Sequence, residues 1–259
     1  MSWSTPGSDT KHLVATAYDR SASGFAGAAD RVVYRYLARP LIDAVGTVQG
    51  AVLDVAAGAG AAGRHFDDTV ALDLSMGQLR HNPARRRVRG DAERLPFRAD
   101  SFAAAVCVFG INHFPDPAAA VSEMARVASV VGMATWARPE PPYAPKTIVL
   151  NTLERHAGRC RSTMGEIVDS LGDRVGSVAA VAGMLKRAGL TGGVEAVTVT
   201  IPWPGTEAFL DYRLSMATTA GLVGDERAVR LEAAAALASL AEDELDWHAA
   251  VIVGVGQRA

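Results

Sequence analysis

Residues 52–63 read Val-Leu-Asp-Val-Ala-Ala-Gly-Ala-Gly-Ala-Ala-Gly, an aliphatic run that stops against closely spaced glycines. The run predicts a strand over 51–55. Gly58 and Gly60 then let the backbone take dihedrals that side chains disfavour and let another group approach it closely. A short helix over 61–66 is expected next, its free N–H groups facing whatever lies over the turn. Strand, glycine turn and helix together open a parallel α/β sheet.

The chain continues in the same alternation. Strands are expected over 70–74, around Val88 up to Asp91, over 101–108 and over 130–136. Helices are expected over 76–81 and 117–127, the second capped by Asp116. Ahead of this core, 12–45 is helical in pattern and ends at Pro40 before a second short turn. From Arg138 a proline-rich loop leads into helical stretches over 147–156, 164–171 and 178–188, then a strand over 194–201. A helical pair over 206–240, broken near 221–224, and a last strand over 245–255 complete the order. The expected fold is α/β, a Rossmann-like doubly wound, mostly parallel seven-stranded sheet with helical lid insertions. The domain plan is a polar, disordered tail over 1–10 and one domain over 11–259. Within it lie an N-terminal helical segment (11–50), a cofactor-binding core (51–137) and helical lid or substrate segments (138–192 and 204–242).

A length of 259 residues suits one such domain. The net charge of −2 supplies no field to gather polyanions. The run Arg80, His81, Arg85, Arg86, Arg87, Arg89 is read as a solvated face, and nucleic acid is not an expected partner. Cys107 and Cys160 stand far apart, supporting neither a disulfide nor a thiolate metal site, and no metal is expected. No leader pattern and no bilayer-length apolar run is present, so the expected location is cytoplasmic, without a membrane partner.

The glycine turn has two readings. Gly58, Gly60 and Gly63 spell the Gly-x-Gly-x-x-Gly fingerprint of nicotinamide dinucleotide sites, whereas Asp54, Ala56, Gly58 and Gly60 spell the Asp-x-Ala-x-Gly-x-Gly loop of S-adenosylmethionine (SAM) sites. Asp73, at the end of the second strand, suits a ribose in either case, because its oxygens accept from vicinal hydroxyls. It follows the glycines by fewer than the ~20 residues of the dinucleotide pattern. Asp54 would repel a pyrophosphate but could sit near an ammonium or organise a loop around a methionine moiety. Asp91, ending strand three, can accept from an adenine amino group, with the Ala92 amide at a ring nitrogen. Gly63 then becomes incidental, a small residue inside a short helix.

With these residues in view the chain resembles the class I SAM-dependent methyltransferases, within them the small-molecule group like those of menaquinone and ubiquinone biosynthesis. The resemblance runs from about Tyr18 to Trp136. It rests on the loop over 53–60, Leu72-Asp73-Leu74-Ser75, the stretch 90–97 (Gly-Asp-Ala-Glu-Arg-Leu-Pro-Phe) and 109–116 (Phe-Gly-Ile-Asn-His-Phe-Pro-Asp) leading to 123–127. It implies SAM as cofactor, with Asp54, Ala56, Gly58 and Gly60 around the methionine part, Asp73 and Leu74 at the ribose, and Asp91 with Ala92 at adenine. It further implies Phe109 on the sulfonium side, and Tyr18 folded over the cofactor, although a core tyrosine explains Tyr18 equally well. Ala56 replaces the first loop glycine, and the Arg-Pro-Gly-Gly turn usual before strand five is missing after Val127.

The implied reaction moves a methyl group to a small-molecule acceptor, at oxygen, nitrogen or carbon. In-line transfer needs alignment more than a special residue. If a base is used, His113 is the nearest candidate by topology, against a packing role, and His156 is a distant second. Trp136, Tyr143, Trp203, Phe209, Tyr212 and Met216 could enclose an apolar acceptor or pack a core. Alternatives are a SAM-binding cyclase or scaffold that transfers no methyl, and a nicotinamide oxidoreductase. The latter is disfavoured because Tyr143 and Lys146 are three rather than four apart, with Pro145 between them.

Overall fold

The computed structural model describes residues 8–159, 162–219, 222 and 225–258. Strands β1 (Val52–Val55), β2 (Thr69–Asp73), β3 (Arg86–Arg89), β4 (Phe102–Val108), β5 (Ala128–Trp136), β6 (Thr191–Ile201) and β7 (Trp247–Gln257) form one sheet in the order β3-β2-β1-β4-β5-β7-β6. The first five are mutually parallel, and β7 runs antiparallel to both β5 and β6. The strand order reverses between β1 and β4. In open α/β sheets, that reversal splays the loops at the carboxyl ends of the strands and leaves a crevice.

Helices α1 (Ser8–Gly24), α2 (Arg35–Leu37) and α3 (Arg39–Val45), with the π-helical stretch Phe25–Tyr34 between the first two, precede the sheet. Within or after it come α4 (Met76–His81), α5 (Pro117–Val127), α6 (Ala144–Ala157), α7 (Thr163–Gly172), α8 (Val178–Arg187), α9 (Thr206–Ser215) and α10 (Glu226–Leu237). Alternate residues of the central strands feed two cores. Val52, Ala104, Val106 and Ala134 pack with Leu37 and Leu41, while Leu53, Ala105, Cys107 and Met133 pack with Val121 and Met124 of α5. A sheet covered on both faces is what continuous apolar strands require.

Three local expectations change. No α-helix forms over 61–66, where a single 3₁₀ turn, Gly63–His65, stands instead. The Gly63 amide donates to Asp54 Oδ2 at 2.9 Å and its carbonyl accepts from Thr69 Oγ1 at 2.8 Å, which ties this turn to β1 and β2. Pro40 does not end the N-terminal helical region. It sits in the first turn of α3, where a missing N–H costs nothing. The first helix starts at Ser8, inside the stretch assigned to the tail. The rest of that tail, Cys160 and most of the break near 221–224 lie outside the described residues. No described helix is long and apolar enough to cross a membrane.

Candidate functional site

A cavity of about 890 Å³, continuous with solvent, occupies the crevice at the strand reversal. Each of the first four strands delivers one loop to it: residues 56–59 after β1, Leu74 after β2, 90–93 after β3 and 109–110 after β4. Helix α1 crosses the opening and contributes Lys11, Val14 and Tyr18. Of the residues singled out from sequence, Tyr18, Ala56, Gly58, Asp73, Leu74, Asp91, Ala92, Phe109 and His113 line this cavity.

Asp73 is the best-anchored of them. The Gly58 amide donates to its Oδ2 at 2.9 Å and the Ser75 amide to its Oδ1 at 2.8 Å. Burial nevertheless pushes its carboxyl up to about 6, against the pull of those amides. Each oxygen keeps a second lone pair for a donor. Gln78 beside it was not foreseen; its Oε1 is buried and has no hydrogen-bond partner among the described residues.

The glycine loop owes its shape to partners on both sides. Gly60, at φ +98°, is backed by Asn82 and Pro83, and a Cβ there would lie 2.7 Å from Pro83 Cδ. Asn82 Nδ2 donates to the Gly58 carbonyl at 2.9 Å, so the Asn-Pro pair after α4 is a buttress of this loop. Ala56 lies at φ +54° and Phe109 at φ +55°, two non-glycine residues held in the left-handed region. Each costs of order 1–2 kcal/mol in backbone energy.

Four residues stand otherwise than expected. Asp54 is buried behind the loop rather than in the cavity wall, because its carboxylate turns to the Gly63 amide; of its two envisaged roles the structure gives loop organisation. Gly63 is accordingly not incidental, since a Cβ there would stand 2.9 Å from Asp54 Oδ2 and 2.8 Å from Thr69 Cγ2. Gly60 supports the loop without lining the cavity. His156 does not line this cavity: its face of α6 is turned to α10, and its Nε2 pairs with Glu232 Oε2 at 2.7 Å.

His113 stands at the wall with both ring nitrogens engaged. Nδ1 donates to the Phe109 carbonyl at 3.1 Å, which leaves Nε2 to accept from the Tyr18 hydroxyl at 2.8 Å. Burial lowers its pKa to about 4, so the ring is neutral at physiological pH. Burial likewise pushes the Tyr18 hydroxyl up. Tyr18 is thus a structural partner of the site rather than an isolated core residue.

Lys11, Glu93 and Asp19 are further polar residues that sequence reasoning missed. Lys11 Nζ lies 2.8 Å from Asp91 Oδ2 and 2.5 Å from Glu93 Oε2. Asp19 Oδ1 accepts from the Ser75 hydroxyl at 2.6 Å and from the Gly77 amide at 2.7 Å. These bonds pin α1 across the crevice. None carries a local signal, because the partners are 56 to 82 residues apart.

Comparison with known proteins agrees with this geometry. Residues 53–134 match the methyltransferase domain family. Demethylmenaquinone methyltransferase of Renibacterium salmoninarum is 38% identical over 128 residues, 45% of this chain and 54% of that protein; the match thus spans about half the relative's length. Among solved structures, the [4+2]-cyclase SpnF aligns with 96% of this chain and 96% of its own at a TM-score of 0.59 and 15% identity. The YcgJ protein of Bacillus subtilis aligns with 87% of this chain and 98% of its own at 0.51 and 18% identity. The matched segment is thus similar to methyltransferase domains, and the chain as a whole shares its fold with these solved structures.

Proposed function

We propose that the protein is a SAM-dependent methyltransferase acting on a small-molecule acceptor, and that the crevice at the strand reversal holds the cofactor. The observation that carries this reading is Asp73, a carboxylate fixed by the Gly58 and Ser75 amides on the cavity floor with lone pairs left for donors. Vicinal ribose hydroxyls are such donors. The orphaned Gln78 Oε1 beside it suits another hydroxyl or the ammonium of the methionine part. Asp91 and the Ala92 amide lie along the same cavity, where an adenine edge offers a donor and an acceptor. Ala56 and Gly58 suit the methionine part and Phe109 the sulfonium side, while Asp54 and Gly60 act from behind by shaping the loop.

When bound, SAM supplies a methyl on a positive sulfonium; the acceptor's lone pair takes that carbon, the bonding pair stays on sulfur, and a proton is released. The chain's share is orientation and exclusion of water. Tyr18 and His113 close one wall, and the neutral His113 with its Nε2 committed to Tyr18 is suited to positioning rather than to strong general-base work. Much of the basic run is occupied by the protein itself: Arg86 pairs with Asp68, and Arg87 and Arg89 donate to backbone carbonyls. That supports a small molecule over a polyanion as partner.

Calorimetry tests the assignment. SAM and its demethylated product are expected to bind and NADH is not. Asp73→Ala, which removes charge-assisted bonds worth about 1.5–3 kcal/mol each, should weaken SAM by a hundredfold or more. NADH binding without SAM binding, or unchanged SAM affinity in the variant, would overturn the proposal. With labelled SAM, product formed without label would favour cyclase chemistry instead.

A further inference from the structure

A second cavity of about 730 Å³ lies on the other side of Tyr18, Tyr34 and His113, which line both spaces. Most of its remaining wall comes from the segments after β5, and it differs in character from the first. Arg138, Lys146 and Arg213 face Glu140 and Asp169 across it, and Arg138 Nε also lies 3.9 Å from Asp173 Oδ1. Arg138 Nη2 pairs with Asp169 Oδ1 at 3.0 Å, and Lys146 pairs with Glu140. Arg213 is only 9% exposed, and its Nε has no hydrogen-bond partner among the described residues. Asn112, 1% exposed and adjacent in sequence to His113, has a carboxamide Oδ1 in the same condition. Trp136, Tyr212 and Trp247 supply apolar wall between these polar groups.

A buried donor and a buried acceptor left without partners cost about 1–3 kcal/mol each, and a ligand that satisfies both recovers that energy. The donor belongs to a guanidinium, whose planar fork matches a carboxylate. Glu140 and Asp169 already stand among these cations, which suits a monoanion rather than a phosphate dianion. The acceptor, Asn112 Oδ1, calls for an O–H, and it lies next to the wall shared with the first cavity.

We infer that this second cavity is the acceptor site and that it selects a hydroxylated monocarboxylic acid with a flat apolar body, its carboxylate on Arg213 and its hydroxyl at Asn112 beside the Tyr18–His113 wall. The inference rests on the methyltransferase reading above. It also narrows that reading, because a wholly neutral apolar acceptor would leave the buried Arg213 Nε without a hydrogen-bond partner.

The test uses the full chain saturated with demethylated SAM, and follows the fluorescence of Trp136 and Trp247, which border the cavity. The probes are 3-hydroxybenzoate and its neutral counterpart 3-hydroxybenzamide. The acid should bind at least about tenfold more tightly than the amide, the equivalent of ~1.4 kcal/mol. Arg213→Gln should erase that preference and Arg213→Lys should retain part of it. Equal binding of acid and amide to the unaltered protein, or no saturable binding of either, overturns the inference without needing any variant to fold. An unchanged preference in Arg213→Gln does the same. Calorimetry with demethylated SAM separates the two levels: if that ligand fails to bind, the methyltransferase reading falls, and if it binds while the acid preference is missing, only the acceptor class falls.

Discussion

Asp73 carries two opposed demands, burial and negative charge, and its pH behaviour should report both. Its pKa in the fold, about 6, is above the ordinary value of 3.8 because burial penalises the charged form. In the ligand-free protein this group therefore favours folding more as pH falls from 6 towards 4, where the native state takes up a proton that the unfolded chain does not. Ligand binding runs the other way. Ribose hydroxyls need the ionised acceptor, so SAM affinity should fall as pH drops below about 6, and in Asp73→Asn that dependence should flatten; calorimetry between pH 5 and 7.5 reads it. Gly63 offers a second residue-scale test. Filling the space against Asp54 and Thr69 with a methyl group should cost about 1–3 kcal/mol, seen as a lower thermal midpoint for Gly63→Ala, whereas an incidental glycine in a helix would tolerate or welcome alanine.

Among the elements, those set by local chemistry were legible and those set by distant partners were not. Helices α4 and α5 begin and end where expected because Ser75 and Asp116 cap them, accepting from the Gln78 and Ala119 amides. The stretch over 61–66 was misread for the converse reason: its alanines favour a helix locally, but Asp54 and Thr69 claim the backbone of Gly63. The loop residues and Asp73 were visible as a motif, while Lys11, Asp19 and Gln78 reach the site only through tertiary packing. Asp54, Gly60 and His156 carried the right residue types in positions that the fold turns away from the cavity. Helix α1 is the element on which the site most depends. Asp19→Ala should free its middle from Ser75 and Gly77; because Asp19 is exposed, the loss is near 1 kcal/mol, or about fivefold in SAM affinity, with faster proteolytic cleavage of α1.

Taken as a whole, the molecule is a continuous sheet with two covered faces and a crevice at the strand reversal, roofed by a helix that is attached by ion pairs, hydrogen bonds and a small apolar cluster of Val14 with Met164 and Val168. The strands beneath it are stitched by parallel ladders, Phe102–Val108 along Ala128–Trp136 the longest of them. The roof is held by Lys11, Tyr18 and Asp19 on partners 56 to 95 residues away. Such attachments release separately from the main cooperative unit. The amides of α1 should therefore exchange with deuterium well before those of β1, β4 and β5, and demethylated SAM in the crevice should slow them; equal protection of roof and sheet would contradict this. The bonds that hold α1 shut thus have a consequence in time rather than in affinity. At saturating ligand concentration, the rate of complex formation should level off at the rate at which the roof opens.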